Sequence, residues 1–483
     1  MLYRRWYLVA LMAIWAVLLY AGNKYYAGSA ATCWVFSFAS LFTLISGLIS
    51  RRVYTYLFIV IFLYLCFWFK LTANFLIFGH FSFGEPIGRF DGSPGAWDEV
   101  LWIAIAAQIG VLLGRLVWLR YPVSGYWQDL RNSAPEWYAS ARKLLWAGLG
   151  LFMAAIVLLN VVYGVHQIGL APRTIFPWPL NALIAWSLNI GCALAISVFT
   201  AWDMAIGRKP GWQLYAMVVE ACVSTVAIMS RSLFLFHTMA QLVSLTLEKR
   251  IGHYTRFQIV LFAGLVLGLF VASIGAVSFS RDYQYAATQA SPVEQPVTIA
   301  PEGQDNQAHL QKETGDGEPV KPVTSSVRWI LLHQLIINRW IVIEGVMSAS
   351  ANECKSTQLL QELAFEKREI GKATAYQKIS NSGYQVDDPK FQFATMPGVA
   401  GFMYLGGSLG LVFIGVAFLE SLAIGGEWLL AQLTLNPLFS SLYGITAANT
   451  PTQLVVTPRQ DLPQFMMIFL MGLFIYILQP RFR

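Results

Sequence analysis

The sequence predicts an all-α polytopic membrane protein with about twelve transmembrane helices and a large, partly helical loop outside the bilayer. Of its 483 residues, 56% are hydrophobic and only 12% are charged, whereas an ordinary soluble domain has about 25% charged residues. Apolar runs of near-membrane length recur along most of the chain. This composition excludes a soluble enzyme. The net charge of +7 is not concentrated in a long basic run, which argues against a nucleic-acid partner.

The predicted spans follow from apolar runs that end at glycine, proline or polar residues. A helix rises 1.5 Å per residue, so about 20 apolar residues cross a hydrocarbon layer of about 30 Å. The predicted spans are Trp6–Gly22, Ala30–Ser50, Val53–Phe69, Val100–Leu119, Leu144–Tyr163, Leu180–Trp202, Gln213–Met229, Leu233–Leu247, Gln258–Ser278, Val399–Ala423, Trp428–Ala447 and Pro463–Leu478.

The stretch Gln213–Leu247 needs a break to fit a bilayer. As one helix it would be about 52 Å long, far more than the thickness of the hydrocarbon layer. Ser230-Arg231-Ser232 is the polar cluster near its middle, so the break is predicted there. A single overlong helix is the alternative, and it would reverse the orientation of every later span.

The eleventh predicted span is interrupted by Asn436-Pro437. Proline lacks a backbone N–H and clashes with the preceding turn, so a helix is expected to end or kink there. The alternatives are a broken helix and an amphipathic element at the membrane surface.

The basic residues predict the orientation of the bundle. Lysines and arginines of the short connections fall mainly on the side that holds the amino terminus, for example at Arg4, Arg5, Arg51 and Arg52. Because such residues concentrate on the cytoplasmic side, both termini are predicted to be cytoplasmic.

Two outer segments divide the chain into domains. Residues 1–278 form spans one to nine and include a structured loop at 69–99, where aromatic residues alternate with turn-forming Gly and Pro. Residues 279–326 are polar, with few large aliphatic side chains, and predict a flexible linker. Residues 327–398 predict a helical outer loop, and residues 399–483 carry the last three spans.

The helical outer loop contains two amphipathic patterns. Wound as a helix, Val327–Met347 places aliphatic and ionisable side chains on separate stripes. Thr357–Ile379 mixes leucines with Glu and Lys and predicts a second helix. Such helices suit a site at the membrane interface.

Arg231 and Glu220 are the first candidate functional residues. An arginine in the middle of a membrane costs about 2.5–3.5 kcal/mol, but at the outer boundary its guanidinium can hold an anion with two hydrogen bonds. Glu220 lies on the same helical stripe as Arg231 and is an intramembrane acid. The alternatives are a snorkelling arginine and a glutamate that serves as a structural partner.

Arg339 and Glu344 form a second constellation. On a continuous helix they diverge by about 140°, so each is free for another partner. An arginine for a phosphate and a carboxylate that accepts a hydroxyl proton would make a transferase pair. Arg328 and His333 lie on the same helix and are candidate substrate ligands, although a structural role for these residues is the alternative.

The first long outer loop adds Glu85, Arg89 and Asp91, two acids and an arginine within a short segment. These side chains are candidates to bind sugar hydroxyls. Asp91-Gly92-Ser93-Pro94 is also an ordinary turn sequence. No cofactor or metal is predicted, because the five cysteines lack metal-ligand spacing and no nucleotide-binding motif is present.

Four segments resemble the O-antigen, or oligosaccharide repeat-unit, polymerases of the Wzy type. They are Glu85–Glu99, Ile228–Val243, Asn338–Ser348 and Asn436–Ile445, set in a twelve-span plan with a late periplasmic loop. The resemblance implies a bacterial inner-membrane glycosyltransferase that polymerises undecaprenyl-diphosphate-linked repeat units at the periplasmic face, without metal or nucleotide. It also allows for a chain-length-regulating co-polymerase as a protein partner.

The resemblance assigns the diphosphate-binding role to Arg231 and Arg339, and less firmly to Arg89. Glu344 is the first choice for the base, and Glu85 or Asp91 the second. The paired-arginine loop signatures of some family members are not found around Arg173 or Arg339. Two other functions fit the same class of chain: an O-antigen ligase-like transfer to another acceptor, and a lipid-linked glycan flippase or transporter.

Cys354 tests the predicted orientation. It should react with a membrane-impermeant maleimide added from the periplasmic side, because it lies in the late outer loop. Mass spectrometry of intact spheroplasts and of disrupted membranes measures the labelling. Reaction only after disruption would mean that Gln213–Leu247 is a single span.

Overall fold

Every regular element that the computed structural model describes is a helix. The structure describes residues 2–50, 53–119, 134–170, 172–208, 211–247, 256–289, 337, 340–367, 374–380, 397–450, 452 and 458–479. Within these ranges, eight helical stretches are long and apolar enough to cross a membrane, and two further apolar helices are shorter. The predicted all-α class is therefore confirmed, and eight of the described helical stretches are candidate membrane spans.

The first part of the chain forms a series of long helices, two of which contain a π-helical segment. They are α1 (Leu2–Tyr25), α2 (Ala30–Ile49), α3 (Tyr54–Leu63), π1 (Tyr64–Phe69), α4 (Lys70–Phe78), α5 (Pro94–Val117), α6 (Tyr138–Tyr163), α7 (Leu180–Trp186), π2 (Ser187–Gly191), α8 (Cys192–Ala205), α9 (Trp212–Ala227), α10 (Leu233–Leu247) and α11 (Arg256–Gln289).

The second part contributes short helices followed by the closing helices of the bundle. They are α12 (Val342–Ser350), α13 (Thr357–Phe365), α14 (Ala375–Ile379), α15 (Gly398–Tyr404), α16 (Leu409–Thr434), α17 (Pro437–Asn449) and α18 (Pro458–Leu478).

Helix α16 packs tightly against α5 in the core. A Cβ added at Gly110 or Gly114 would lie 2.7 Å from the carbonyl oxygens of Phe413 and Ala417. Because only glycine leaves room for this approach, the two backbones meet directly. In contrast, only 11% of the apolar segment of α6 and 6% of that of α11 are buried inside the protein. These two helices therefore lie at the periphery.

The predicted break within Gln213–Leu247 is confirmed. Helix α9 ends at Ala227 and α10 begins at Leu233, and the two helices pack against each other. Met229 takes a left-handed backbone conformation with φ of 56°, which reverses the chain direction without glycine.

The predicted boundary between the tenth and eleventh spans is wrong. Residues 424–427 lie inside α16, which continues to Thr434. Gly425 and Gly426 look like turn residues in the sequence, but they give room to the side chains of Trp118 and Tyr443. The break predicted at Asn436-Pro437 is present, and Asn436 caps the first turn of α17.

The outer helices are shorter than predicted. The helix expected at Val327–Met347 begins at Val342, and residues 327–336, 338 and 339 lie outside the described residues. The helix expected at Thr357–Ile379 is interrupted, because Glu366 is extended and its carboxylate accepts the N–H of Ala375. The linker predicted at 279–326 begins inside α11, and its residues 290–326 lie outside the described residues.

Candidate functional site

A buried ion pair joins α4 to α12. The ammonium group of Lys70 donates to the carboxylate of Glu344, and both side chains are fully buried. Lys70 directly follows π1, and π-helical turns are frequent at functional sites. Taking two charges out of water is costly, so each charge depends on the other for compensation. Glu344 is therefore held in place by a partner that lies far away in the sequence.

Glu85 is a second carboxyl group beside this pair. It lies in the loop between α4 and α5 and is partly exposed. Burial raises the pKa of Glu85 to about 7, with a further increase from the negative charge of Glu344 and an opposing effect of Lys70. Glu85 therefore exchanges its proton near neutral pH, as a general acid or base requires.

The loop that carries Glu85 is fixed in the structure. The N–H of Gly88 donates to the carbonyl of Ser380 at 3.0 Å. Gly88 has a φ of 63°, and a Cβ there would lie 2.8 Å from the carbonyl oxygen of Ile379, so glycine is required. Phe90 packs edge-on against Trp97, with ring centroids 5.3 Å apart.

Helices α3 and α10 run antiparallel. The hydroxyls of Tyr54 and Ser244 lie 3.1 Å apart, and the rings of Phe62 and Phe236 lie 5.5 Å apart. Residue numbers therefore increase along α3 in the direction in which they decrease along α10. The turn before α10 and the loop after α4 are consequently at one end of the bundle. We call this the loop end.

Phe62 connects the two parts of the loop end. Its ring lies 5.5 Å from that of Phe236 on α10 and 5.9 Å from that of Trp340, which precedes α12. The helix that carries Glu344 and the helix that follows Arg231 therefore share one aromatic contact.

Arg231 lies in the turn between α9 and α10. The N–H of Ser230 donates to the carbonyl of Thr225 at 3.0 Å, and the guanidinium of Arg281 donates to the carbonyl of Met229 at 2.7 Å. These bonds fix the turn. Arg231 itself is partly exposed, and its Nε has no hydrogen-bond partner within the described ranges. The turn therefore holds a partly exposed guanidinium, whose buried Nε is an unsatisfied donor within the described ranges.

Glu220 lies deeper than Arg231 and has partners of its own. Ser224 donates to its carboxylate at 2.8 Å, and the Nδ1 of His237 lies 3.0 Å from its other oxygen. The Nε2 of His237 donates to the carbonyl of Asn189 in π2 at 2.8 Å. Because each of these atoms is buried and paired, the geometry favours the structural alternative for Glu220. His237 lies within the segment Ile228–Val243, but the sequence does not predict it as a partner of Glu220.

Arg89 and Asp91 lie on the surface of the loop, not beside Lys70. Arg89 is exposed and its guanidinium lies 3.4 Å from the carboxylate of Glu353. Asp91 accepts the N–H of Ser93 at 2.9 Å, and this backbone bond lowers the pKa of Asp91. This contact is the one expected if Asp91-Gly92-Ser93-Pro94 is an ordinary turn.

Three predicted site residues lie outside the described residues: Arg328, His333 and Arg339. Their roles stay predictions. Among the residues that are described, no group of three or more His, Cys, Asp or Glu side chains could hold a metal ion.

Lys70 is the main residue that the sequence reasoning missed. The third span was predicted to end at Phe69, just before this charge, yet the helical stretch continues to Phe78. A lysine inside an otherwise apolar run is itself a signal, because such a charge needs a partner in the bundle.

No protein-family model matches this sequence, and neither curated proteins nor solved structures give a significant match to it.

Replacing Lys70 with Met should lower the free energy of unfolding by about 3–5 kcal/mol, because the buried carboxylate of Glu344 loses its compensating charge. Denaturant titration of the detergent-purified protein, followed by circular dichroism, measures the change. The double variant Lys70→Met/Glu344→Leu should recover most of the loss, since it buries no charge. A double variant as unstable as Lys70→Met would contradict the interpretation.

Proposed function

We propose that this chain is a membrane glycosyltransferase that polymerises oligosaccharide repeat units carried on undecaprenyl diphosphate. The observation that carries the proposal is the cluster of Glu85, Glu344 and Lys70 at the loop end, where the turn with Arg231 also lies. The resemblance of the four sequence segments to Wzy-type polymerases supplies the substrate class.

The proposed reaction needs charge stabilisation and one base. The acceptor hydroxyl oxygen attacks the anomeric carbon of the donor sugar, and the bond from that carbon to the diphosphate oxygen breaks. The lipid diphosphate leaves with the bonding electron pair, and Arg231 and Arg339 stabilise its negative charge. The hydroxyl proton passes to a carboxylate. No metal or nucleotide takes part.

Glu85 is better placed than Glu344 to accept this proton. Glu344 is fully buried and bound by Lys70, whereas Glu85 is partly exposed and its pKa is raised to about 7. We therefore assign the base to Glu85. The charges of Glu344 and Lys70 act on Glu85, so Glu344 is a positioning residue.

An apolar cavity that begins near the Arg231 turn and extends toward the start of α9 and α11 supports a lipid-linked substrate. Its volume is about 510 Å³, and apolar side chains of α9, α10 and α11 line it. Leu235, one of these lining residues, lies one helical turn after Arg231. An isoprenoid chain in the cavity would bring its diphosphate toward the guanidinium.

We also propose twelve crossings of the bacterial inner membrane with both termini cytoplasmic. The side chain of Gln479 donates to the carbonyl of Thr434 at 2.8 Å, so the ends of α16 and α18 lie together. The chain between them must return across the layer, and we assign the eleventh crossing to α17. On this topology the loop end and residues 327–398 are periplasmic.

The variants Arg231→Ala and Arg339→Ala should leave the protein inserted but reduce the glycan to a single repeat unit, because the leaving diphosphate loses a stabilising charge. Gel electrophoresis of lipopolysaccharide measures the ladder in a strain complemented with each variant. Immunoblotting of membranes verifies insertion.

Arg173→Ala is the matched control for this experiment, since Arg173 is an exposed arginine without a proposed role in catalysis, and long ladders should persist. Normal ladders from both Arg231→Ala and Arg339→Ala would refute the proposal. Complete loss of glycan, rather than a single unit, would indicate ligase activity.

The rate of transfer should fall as the pH is lowered through about 7, because protonated Glu85 cannot accept a proton. Glu85→Gln should abolish transfer. Glu344→Gln should shift the acid limb to lower pH, since it removes a negative charge that raises the pKa of Glu85. Initial rates with membrane vesicles and a lipid-linked donor give the profile.

Glu362→Gln is the control for the pH profile, because Glu362 is exposed on α13 and should leave the profile unchanged. Loss of all activity in Glu344→Gln that retains the circular dichroism spectrum of the wild type, with activity retained in Glu85→Gln, would reverse the assignment and make Glu344 the base.

A further inference from the structure

Glu420 is a buried acid that the proposed reaction does not use. It lies near the middle of α16, which extends from Leu409 to Thr434, and its relative exposure is 2%. Both carboxyl oxygens lack a hydrogen-bond partner in the part of the chain that the structure describes. Buried polar groups are nearly always hydrogen-bonded, so this carboxyl group requires an explanation.

The carboxyl group borders a small internal cavity of about 30 Å³. A water molecule needs about 10–15 Å³ of such space. Apolar side chains of α3, α5 and α16 line most of the wall, and Thr452 contributes a hydroxyl. That hydroxyl donates to the carbonyl of Ala448 at 2.5 Å, which leaves its oxygen free to accept. The cavity therefore offers room and one acceptor for water.

The charged and titratable groups around Glu420 form their hydrogen bonds with other residues, although the buried Nε of Arg115 has no partner among the described residues and the charge of Arg115 acts on Glu420. On its own helix, Glu427 accepts the N–H groups of Tyr54 and Thr55 at 2.9 and 2.7 Å. On α5, Arg115 donates to the carbonyl of Trp118 at 3.0 Å. These contacts leave Glu420 without a direct ionic partner.

The other helices packed against α16 add no such partner. Tyr56 on α3 shares a hydrogen bond with Ser46, and Tyr443 on α17 donates to the carbonyl of Ala423. Helix α18 carries Arg459 and Asp461 in its first turn, and α15 carries Tyr404, which donates to Glu99. None of these groups forms a hydrogen bond or an ion pair with Glu420 within the described ranges.

We propose that Glu420 is an intramembrane proton-binding site, whose carboxyl group carries a proton and hydrogen-bonds to water in the cavity. An ionised Glu420 would be a negative charge without a donor, two helical turns from the second carboxylate, Glu427. Such a charge is far more costly to bury than the neutral acid. The acid O–H can donate to a cavity water, and this water can donate to Thr452.

The site is separate from the proposed sugar-transfer site, but the same helical segments contribute to both sites. Val342, which lines the cavity, begins α12, and Glu344 lies two residues later. Phe67, another lining residue, precedes Lys70 within the same helical stretch. The proton site therefore borders both helices that carry the buried ion pair, and its existence does not depend on the proposed transferase activity.

Infrared difference spectroscopy of the whole protein in lipid tests the proposal. At neutral pH, the wild-type protein should show a carbonyl-stretch band of a protonated carboxyl group that Glu420→Gln lacks. Glu427→Gln is the matched control on the same helix and should keep the band of Glu420, because each carboxyl oxygen of Glu427 already accepts a backbone N–H. The band should disappear in strongly alkaline buffer.

Superimposable spectra of wild type and Glu420→Gln would overturn the proposal, as would a band lost only in Glu427→Gln. Thermal unfolding gives a second readout: Glu420→Gln replaces a neutral acid by a neutral amide, so the midpoint should not change. A large rise in the midpoint would mean that the native protein buries an unpaired charge there. If Glu420→Gln does not fold, Glu420→Asp with side-chain ¹³C-labelled glutamate should remove the glutamate component of the band.

Discussion

The buried ion pair of Lys70 and Glu344 ties the late outer segment to the early bundle. Neither charge is exposed, so each helix is held where the other can neutralise it. The pair also fixes the electrostatic surroundings of Glu85, because Glu344 raises the pKa of Glu85 while Lys70 lowers it. The position of these helices therefore depends on one contact, whereas the pKa of Glu85 depends first on burial and second on this ion pair.

The sequence predicts those features that follow from local patterns. The break at Ser230-Arg231-Ser232 was predictable because an apolar run longer than a bilayer must turn, and a polar cluster marks the place. Glu85 and Glu344 were predictable as candidates from residue type alone. Their proximity was not, because loop 79–93 meets α12 only through contacts between distant parts of the chain, such as Gly88 with Ser348, whose Oγ lies 3.1 Å from the position that a Cβ of Gly88 would take.

The errors share one physical cause, which is a partner that the sequence does not reveal. Lys70 looks like the end of a span, yet Glu344 neutralises it and the helix continues to Phe78. Gly425 and Gly426 look like a loop, yet large side chains of other helices fill the space beside them. Tertiary packing overrides local preference in both places.

The contact between Glu427 and the first turn of α3 has a consequence for biogenesis. The amide groups that begin this helix are satisfied by a carboxylate from the last quarter of the chain, and unsatisfied amides are costly away from water. The face of α5 that carries Gly110 and Gly114 likewise becomes buried only when α16 packs against it. The early helices α3 and α5 consequently complete their packing only after α16 has been synthesised and has entered the bundle.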